Sequence, residues 1–243
     1  MKKILGFVLL VFGGSASVSW AVPVTLNGAY FVGGGVAILD DTGGLLSDNF
    51  TDTSPPLILP LFGETSVISP LGSRATAFAI ADQGILVAGT DVIGSGEFAT
   101  AATATNFSGS FIAPGGKMQL RLDFANDAFA GSIDSITEAL LNFSLAENGN
   151  ILFNEDFIFS GVNDQEWVFL RDFELPVGTS GTFDIFLSSI SSDFGGMANN
   201  TTSVAFRIDT VPEPATLPIL LAGLGLLAFV KSRKREDHAW SDA

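Results

Sequence analysis

The amino-acid sequence predicts a single all-β domain, a β-sandwich of the jelly-roll type, over residues 22–210. Two observations carry this prediction. Between Met118 and Phe124 every second residue is apolar, which is the period of a strand with one buried face. The same alternation recurs from Phe183 to Leu187 and from Val204 to Ile208. Further runs rich in β-forming residues are bounded by glycine or proline, so about ten short strands would share two sheets.

The other predicted elements follow the chain in order. The further strands are Thr25–Val32, Arg74–Ala81, Ile85–Val92, Glu97–Thr105 and Asn106–Ile112. Only Ile133–Leu145 could contain a short helix, and the proline-rich stretch Asp40–Gly72 is typical of a long irregular loop. No helix or lysine suited to a phosphate loop follows Gly33–Gly35, so these glycines predict a turn or a bulge.

One hairpin can be given a register. A two-residue Asn-Gly turn after Glu147 would pair Phe143 with Asn154 and mix the two faces of the sheet. A three-residue loop would pair Leu145 with Ile151 and keep one face apolar. The three-residue loop is therefore the prediction.

Two charges interrupt apolar strand faces at mirrored positions. Glu155 breaks the face that contains Phe153 and Phe157, and Arg171 breaks the face that contains Trp167 and Phe169. Antiparallel pairing about residue 163 would set Glu155 opposite Arg171, as a cross-strand pair. The alternatives are that both side chains reach solvent at a sheet edge or that the strands lie in opposite sheets.

The charge of the domain excludes some partners. Residues 22–210 carry only five basic residues against 22 acidic ones, a net charge of −17. Such a surface repels nucleic acid and anionic lipid, so we expect no nucleic-acid partner. The chain has no cysteine, so the core alone must hold the fold, without disulfides.

The N-terminus carries an export signal. Lys2 and Lys3 precede a short apolar stretch, and Ser19-Trp20-Ala21 fits the small-x-small pattern of a cleavage site. Residues 1–21 are therefore predicted to be a signal peptide cleaved after Ala21, and a cut after Ser17 is the alternative.

The C-terminal tail has three parts in a fixed order. A short motif comes first, an apolar run from Ala215 to Val230 follows, and a basic cluster over residues 231–235 ends it. The motif residues are Val211, Pro212, Glu213 and Pro214, and the basic residues of the stop are Lys231, Arg233, Lys234 and Arg235. This order resembles the PEP-CTERM sorting tail of bacterial surface proteins, which also occurs on some ice-binding proteins. The resemblance implies export and recognition by an exosortase in the inner membrane.

The apolar run, residues 215–230, predicts a membrane helix. Its 16 residues would span roughly 24 Å, and the positive charges after it would hold that end in the cytoplasm. Residues 236–243 would then be a short cytoplasmic extension. The alternative is a buried core helix. The domain would be anchored in the inner membrane until processing and would afterwards reach the cell surface or the extracellular matrix.

The inventory of side chains argues against several enzyme classes. The only histidine, His238, lies after the apolar run, so the exported domain lacks a Ser-His-Asp system and the common zinc ligands. A pair of carboxylates could serve a glycosidase or a lyase. The candidates are Glu138, Glu147, Glu155, Asp156 and Glu166. Acids this numerous on an acidic surface are more often solvated, so we expect no catalytic residues.

Calcium is the metal ion that the chain would suit best, although we expect no cofactor. Aspartate and asparagine cluster at positions that resemble turns, where oxygen ligands could converge. These positions are Asp40, Asp41, Asp48, Asn49, Asp52, Asn126, Asp127, Asn163 and Asp164. The competing interpretation is that these residues only cap turns.

These observations favour a non-enzymatic, exported surface or matrix protein that associates with exopolysaccharide. Its expected partners are the exosortase, the export machinery and, before cleavage, the inner membrane. A carbohydrate-binding module is the second hypothesis, although the exported domain has only Trp167 and Tyr30 as the aromatic types that sugar platforms favour. A polysaccharide-acting glycosidase or lyase is the third.

Overall fold

The computed structural model describes residues 21–54, 59–162 and 164–211, and the ordered domain within them is all-β. Its twelve strands are β1 (Asn27–Leu39), β2 (Leu45–Ser54), β3 (Leu61–Ile68), β4 (Arg74–Asp82), β5 (Ile85–Ile93), β6 (Phe98–Ile112), β7 (Gly116–Ala130), β8 (Ile136–Glu147), β9 (Asn150–Ser160), β10 (Gln165–Leu175), β11 (Ser180–Asp193) and β12 (Met197–Thr210). No helix occurs among the described residues.

The strands form two antiparallel sheets of six. Sheet I has the order β2-β1-β6-β11-β8-β9, and sheet II has the order β10-β7-β12-β5-β4-β3. Strands β5–β12 are divided so that β6-β11-β8-β9 lie in one sheet and β10-β7-β12-β5 in the other, which is the strand order of a jelly roll. Strands β1 and β2 extend sheet I beyond β6, and strands β4 and β3 extend sheet II beyond β5, on the same side of the sandwich. The predicted β-sandwich is confirmed.

Alternation along each strand places the core between the sheets. On β7 the residues Met118, Leu120, Leu122 and Phe124 are buried, as their spacing predicts. Aromatic and branched side chains fill the larger of two apolar clusters, whereas the smaller cluster consists mainly of alanine and valine. Buried hydroxyls hydrogen-bond across the interior, with Thr90 Oγ1 2.8 Å from Ser191 Oγ.

Two segments differ from their predictions. Residues 136–147 form strand β8 and contain no helix, because Leu141, Phe143 and Leu145 alternate into the core while β11 and β9 bond both of its edges. The expected loop over residues 40–72 contains β2 and β3. Each is the edge strand of its sheet, and pairing with β1 or β4 supplies the backbone hydrogen bonds that hold it in an extended conformation.

The prediction of a turn or bulge at Gly33–Gly35 is wrong, because all three residues lie inside β1. Gly34 faces inward, and a Cβ atom there would lie 2.6 Å from the ring of Phe50. A Cβ atom on Gly63 of β3 would lie 2.1 Å from the same ring. The ring of Phe50 thus fills the space that these two glycines leave between the sheets.

The predicted three-residue loop between β8 and β9 is also wrong. Glu147 pairs with Asn150, so the loop is the two-residue turn Asn148-Gly149, and both residues have positive φ (47° and 85°). The register then shifts by one residue, so that Leu145 pairs with Phe153. A bulge on β9 therefore restores the apolar face that the short turn alone would have mixed.

The predicted pairing of Glu155 with Arg171 is wrong for a different reason. Strand β9 pairs with β8 in sheet I, and β10 pairs with β7 in sheet II, so the two strands lie in opposite sheets. This was one of the alternatives left open by the sequence. The mirrored aromatic residues nevertheless contact each other across the sandwich, with the rings of Phe157 and Phe169 edge-on and their centroids 5.6 Å apart.

Candidate functional site

The outer face of sheet I has a floor of small residues. Gly33 and Gly35 of β1 project outward, because they alternate with the inward-facing Val32, Gly34 and Val36. Gly33 is opposite Ala104 of β6, and Gly35 is opposite Ala102. Without large side chains at these four positions, the centre of this face is a shallow depression.

Larger side chains surround this floor and turn it into a groove. The groove has a volume of about 380 Å³ and spans four neighbouring strands, about 14 Å across at the usual strand spacing. We call it the sheet I groove. The outward-facing residues that line it are Phe31, Gly33, Gly35, Asn49, Thr51, Ala102, Ala104, Ser188 and Ile190. None of these side chains is charged.

Phe31 provides the aromatic surface of the groove. A Cβ atom on Gly33 would lie 2.7 Å from Cζ of Phe31, so the far end of the ring lies over the glycine. Phe31 is half-buried. Asn106 of β6 is opposite Phe31, and Phe186 of β11 is opposite Asn106. An amide side chain therefore lies between two aromatic residues.

Amide–carboxylate pairs adjoin the groove. The Asn106 side-chain nitrogen donates to the carbonyl oxygen of Ile185 at 3.0 Å and to the carboxylate of Asp184. On β8, Asn142 donates in the same way to the carboxylate of Asp156. These pairs fix the orientation of polar groups beside an apolar floor, which suits a ligand that has both apolar faces and hydroxyl groups.

The two aromatic residues singled out from the sequence do not form a platform. Trp167 is half-buried and packs on the core, with its ring 4.7 Å from that of Phe157. Tyr30 is only 4% exposed and stacks on Phe107 with centroids 4.0 Å apart. Burial raises the pKa of the Tyr30 hydroxyl, which a hydrogen bond with the backbone of Gly84 partly offsets.

A second cavity, of about 390 Å³, lies at one end of the sandwich, beside Tyr30. Its lining includes Val24, Leu59, Phe206 and Ile208. Residues 55–58, next to Leu59 in sequence, lie outside the described residues. We therefore take the sheet I groove as the candidate site.

The five carboxylates considered for catalysis are spread over both sheets. Glu138 and Glu147 lie on β8, Glu155 and Asp156 lie on β9, and Glu166 lies on β10 of the other sheet. On β9, Glu155 faces the interior with Phe153, whereas Asp156 faces outward. The absence of catalysis stays a prediction.

The calcium candidates fall into two groups. Asp40 and Asp41 lie at a turn, where the Asp40 carboxylate accepts hydrogen bonds from the Thr42 hydroxyl at 2.8 Å and from the Gly44 amide at 2.6 Å. These bonds, the Thr42 hydroxyl first, lower the pKa of Asp40. Asp164 lies immediately before β10, and Asn163 lies outside the described residues. Asp40 thus organises its own turn, which is the competing interpretation of these aspartates.

The other candidates were wrongly placed in turns. Asp48, Asn49 and Asp52 lie in β2, and Asn126 and Asp127 lie in β7. The Thr65 hydroxyl donates to Asp48 at 2.7 Å and lowers the pKa of that carboxyl. Among the described residues no three acidic side chains, histidines or cysteines come together as a metal site.

Most of the sorting residues lie outside the described part of the chain. Val211 is the last described residue, so Pro212, Glu213 and Pro214 lie outside it, as do Lys231, Arg233, Lys234, Arg235 and the predicted span 215–230. Ala21 is the first described residue, and cleavage after it stays a prediction. Within the ranges described, no helix has the length and apolar character needed to cross a membrane.

Of the groove residues, the sequence analysis singled out only Gly33, Gly35 and Asn49, and it assigned them different roles. The sequence does contain a signal for the strand: every second residue from Tyr30 to Ile38, apart from Gly34, is a large apolar residue. Tyr30, Val32, Val36 and Ile38 are all buried. An uninterrupted period indicates one long strand with two outward glycines. No local pattern predicts that Ala102 and Ala104, on a strand about 70 residues away, complete the floor of the groove.

Comparison with known proteins identifies the tail. A family profile described as the PEP-CTERM protein-sorting motif matches residues 210–235, the segment whose residues carried the resemblance. A tail of this kind implies an exported protein. No curated protein sequence matches the chain.

Several solved structures are similar to the chain at low identity. TmCBM61, in complex with beta-1,4-galactotriose, is 12% identical, covers 58% of this chain and 88% of its own, and has a TM-score of 0.24. A carbohydrate-binding module of Cellvibrio mixtus lichenase 5A, in complex with cellotriose, is 17% identical over 57% of this chain and 88% of its own, with a TM-score of 0.25. The xylan-binding domain of Paenibacillus barcinonensis Xyn10C is 13% identical over 63% and 88%, with a TM-score of 0.22. TM-scores this low do not carry the ligands of these proteins over to this chain.

Proposed function

The chain carries a PEP-CTERM protein-sorting motif at residues 210–235, and on that premise we propose that it is an exported, non-enzymatic surface or matrix protein whose β-sandwich binds exopolysaccharide. The signal peptide over residues 1–21 would direct export, and the tail would hold the chain in the inner membrane until an exosortase processes it. The exported domain would then remain at the cell surface or in the matrix.

The observation that carries polysaccharide binding is the sheet I groove. Sugar rings have apolar CH faces and a rim of hydroxyls, so they suit an apolar floor bordered by fixed hydrogen-bonding groups. The groove offers the ring of Phe31 and the floor of Gly33 and Ala104, with Asn49 and Ser188 at opposite sides. It spans four strands and is open to solvent, so an extended chain could lie in it.

A pull-down on exopolysaccharide isolated from the producing cells tests this proposal. We expect the full chain to be retained, and Ala104→Phe to lower retention at least about tenfold because the ring would fill the floor of the groove. The matched control is Ala125→Phe on β7, an equally half-exposed alanine on the outer face of sheet II, which should leave retention unchanged. Retention of Ala104→Phe at the wild-type level, or no retention of the wild type, would contradict the proposal.

The same assay separates binding from catalysis. A non-enzymatic protein should release no reducing ends from the polysaccharide during prolonged incubation. Steady release that Glu138→Gln or Glu166→Gln abolishes would favour the glycosidase hypothesis, because hydrolysis of a glycosidic bond needs a carboxylate pair.

A further inference from the structure

The two outer faces of the sandwich differ in charge. Lys117, Arg121 and Arg207 all lie on the outer face of sheet II, and so does Arg74 at the start of β4. The remaining basic residue of the domain, Arg171, lies at the inner side of β10, near the ring of Phe153. Among the described residues, the outer face of sheet I therefore carries no basic side chain.

Acidic residues occupy the same face of sheet I. Glu138 is the cross-strand neighbour of Ile190, which belongs to the groove lining. Asp184 adjoins Asn106, and Asp156 adjoins Asn142 on the next strands. Glu138 is thus next to the lining of the uncharged groove, Asp184 and Asp156 lie farther along the same face, and no described positive charge on this face offsets them.

This arrangement determines which polysaccharide the groove can accept. A carboxylated sugar would lose water on entering the groove, and none of the described side chains on this face carries a positive charge to compensate. Its charge would also meet repulsion from the bordering acids, which the net charge of −17 for the domain reinforces. An uncharged sugar has no charge to desolvate or to be repelled, and its hydroxyls can replace lost water with the amide of Asn49 and the hydroxyls of Thr51 and Ser188.

We propose that the sheet I groove takes a neutral polysaccharide and rejects polyuronates. This inference rests on the proposed function, because it names the class of polysaccharide that the same groove binds. It also assigns the bordering acids, above all Glu138, the role of determining specificity by repulsion.

Retention of the full chain on two immobilised polymers tests the selectivity: a neutral glucan and the polyuronate alginate. Chelator is included so that calcium cannot bridge carboxylates. We expect retention on the glucan and at least about tenfold weaker retention on alginate. Equal retention on both, or retention on alginate alone, would overturn the selectivity while leaving polysaccharide binding in place. Failure to bind either polymer would overturn the selectivity, and failure on the native exopolysaccharide as well would overturn the proposed function.

A pair of charge-reversal variants tests the cause. Glu138→Lys combined with Asp156→Lys reverses two exposed acids on the outer face of sheet I. We expect it to keep glucan binding, to gain alginate binding, and to lose that gain in high salt. Glu64→Lys combined with Asp127→Lys makes the same change in net charge on the outer face of sheet II and should gain nothing. An equal gain in both pairs would show that net charge, not the charge beside the groove, sets the selectivity, and no gain in the first pair would overturn repulsion as its cause.

Discussion

Arg171, on sheet II, places its guanidinium carbon 6.0 Å from the centre of the Phe153 ring, on sheet I. The ring of Phe153 also meets Phe173 edge-on, with centroids 6.1 Å apart. The edge strands β9 and β10 thus contact each other through side chains across the sandwich, without sharing a backbone hydrogen-bond ladder. Arg171 interacts with a ring here, and among the described residues no ion pair joins it to Glu155.

This contact predicts which substitutions on β9 and β10 destabilise the domain. Arg171→Gln removes the cation and should lower the free energy of unfolding by about 0.5–1 kcal/mol, the usual contribution of an exposed cation–π contact. Glu155→Gln should change it by less, because the structure shows no ion pair to lose. Denaturant titration measures both effects.

A double-mutant cycle with Phe153→Leu separates the ring contact from other roles of Arg171. The two substitutions should be less than additive, because each removes the same contact. Additive losses, or a coupling of Arg171 with Glu155 in place of Phe153, would contradict the cation–π assignment.

The sequence predicts the central strands well and the edge strands poorly. On β7 and β12 one face is buried and the other is polar, so the period of two is plain in the sequence. Strand β2 has few apolar residues, and most of its side chains are exposed. It is a strand because β1 bonds to it, and that cause lies in another part of the chain.

The mirrored pattern about residue 163 correctly pairs the aromatic residues of β9 and β10, but it wrongly places the two strands in one sheet. The numbering that would align Phe157 with Phe169 as sheet neighbours also describes their contact across the sandwich. Alternation reveals which residues face the core, but not whether two such faces lie side by side or opposite each other. The choice depends on the connection between β9 and β10, which passes from one sheet to the other.

Gly63 should not tolerate a side chain while Phe50 is present. The Cβ atom of Gly63→Ala would lie 2.1 Å from the Phe50 ring, so we expect a loss of about 1–3 kcal/mol in the free energy of unfolding. Adding Phe50→Leu should recover part of that loss, because a smaller side chain vacates the space. The control is Gly35→Ala, whose new atom would meet nothing closer than 3.7 Å and should be neutral or slightly stabilising. Equal losses for the two glycines would contradict this account.

Removal of calcium should leave the melting temperature of the domain unchanged. A ligand that binds only the folded state raises the melting temperature, but no three described acids converge, and Asp48 already accepts a hydrogen bond from Thr65. Differential scanning calorimetry with calcium and with chelator measures the difference. A clear drop in chelator would instead indicate a site that includes residues outside the described ranges.

Processing at both ends should be visible in the mass of the surface form. We expect a chain that begins near Val22 and ends close to Pro212–Pro214, because the predicted signal peptide and the sorting tail would both be removed. Intact-mass measurement of protein released from the cell surface gives both ends. A mature species that still contains Lys231–Arg235 would leave the tail as a membrane anchor without cleavage.

Asp193 should make the domain sensitive to acid. This side chain is fully buried at the end of β11. Burial raises its pKa, but hydrogen bonds from the Ser135 hydroxyl at 2.7 Å and from the backbone amides of residues 194–196 outweigh burial, so the pKa lies below its usual value of 3.8. Because the folded state holds the proton less tightly than the unfolded state, the carboxylate stabilises the fold above pH 4, and this contribution is lost as the pH falls through the lowered pKa.

Two variants test this dependence. Asp193→Asn cannot ionise, so its free energy of unfolding should fall less steeply than that of the wild type between pH 5 and 2, although it should be lower at neutral pH by about 1–3 kcal/mol. Ser135→Ala keeps the carboxylate but removes one donor, so its acid-dependent loss should lie between those of the other two proteins. Denaturant titrations across this pH range measure all three slopes. Parallel slopes for the wild type and Asp193→Asn would show that other acids cause the sensitivity, because only a group with different pKa values in the two states contributes to the slope.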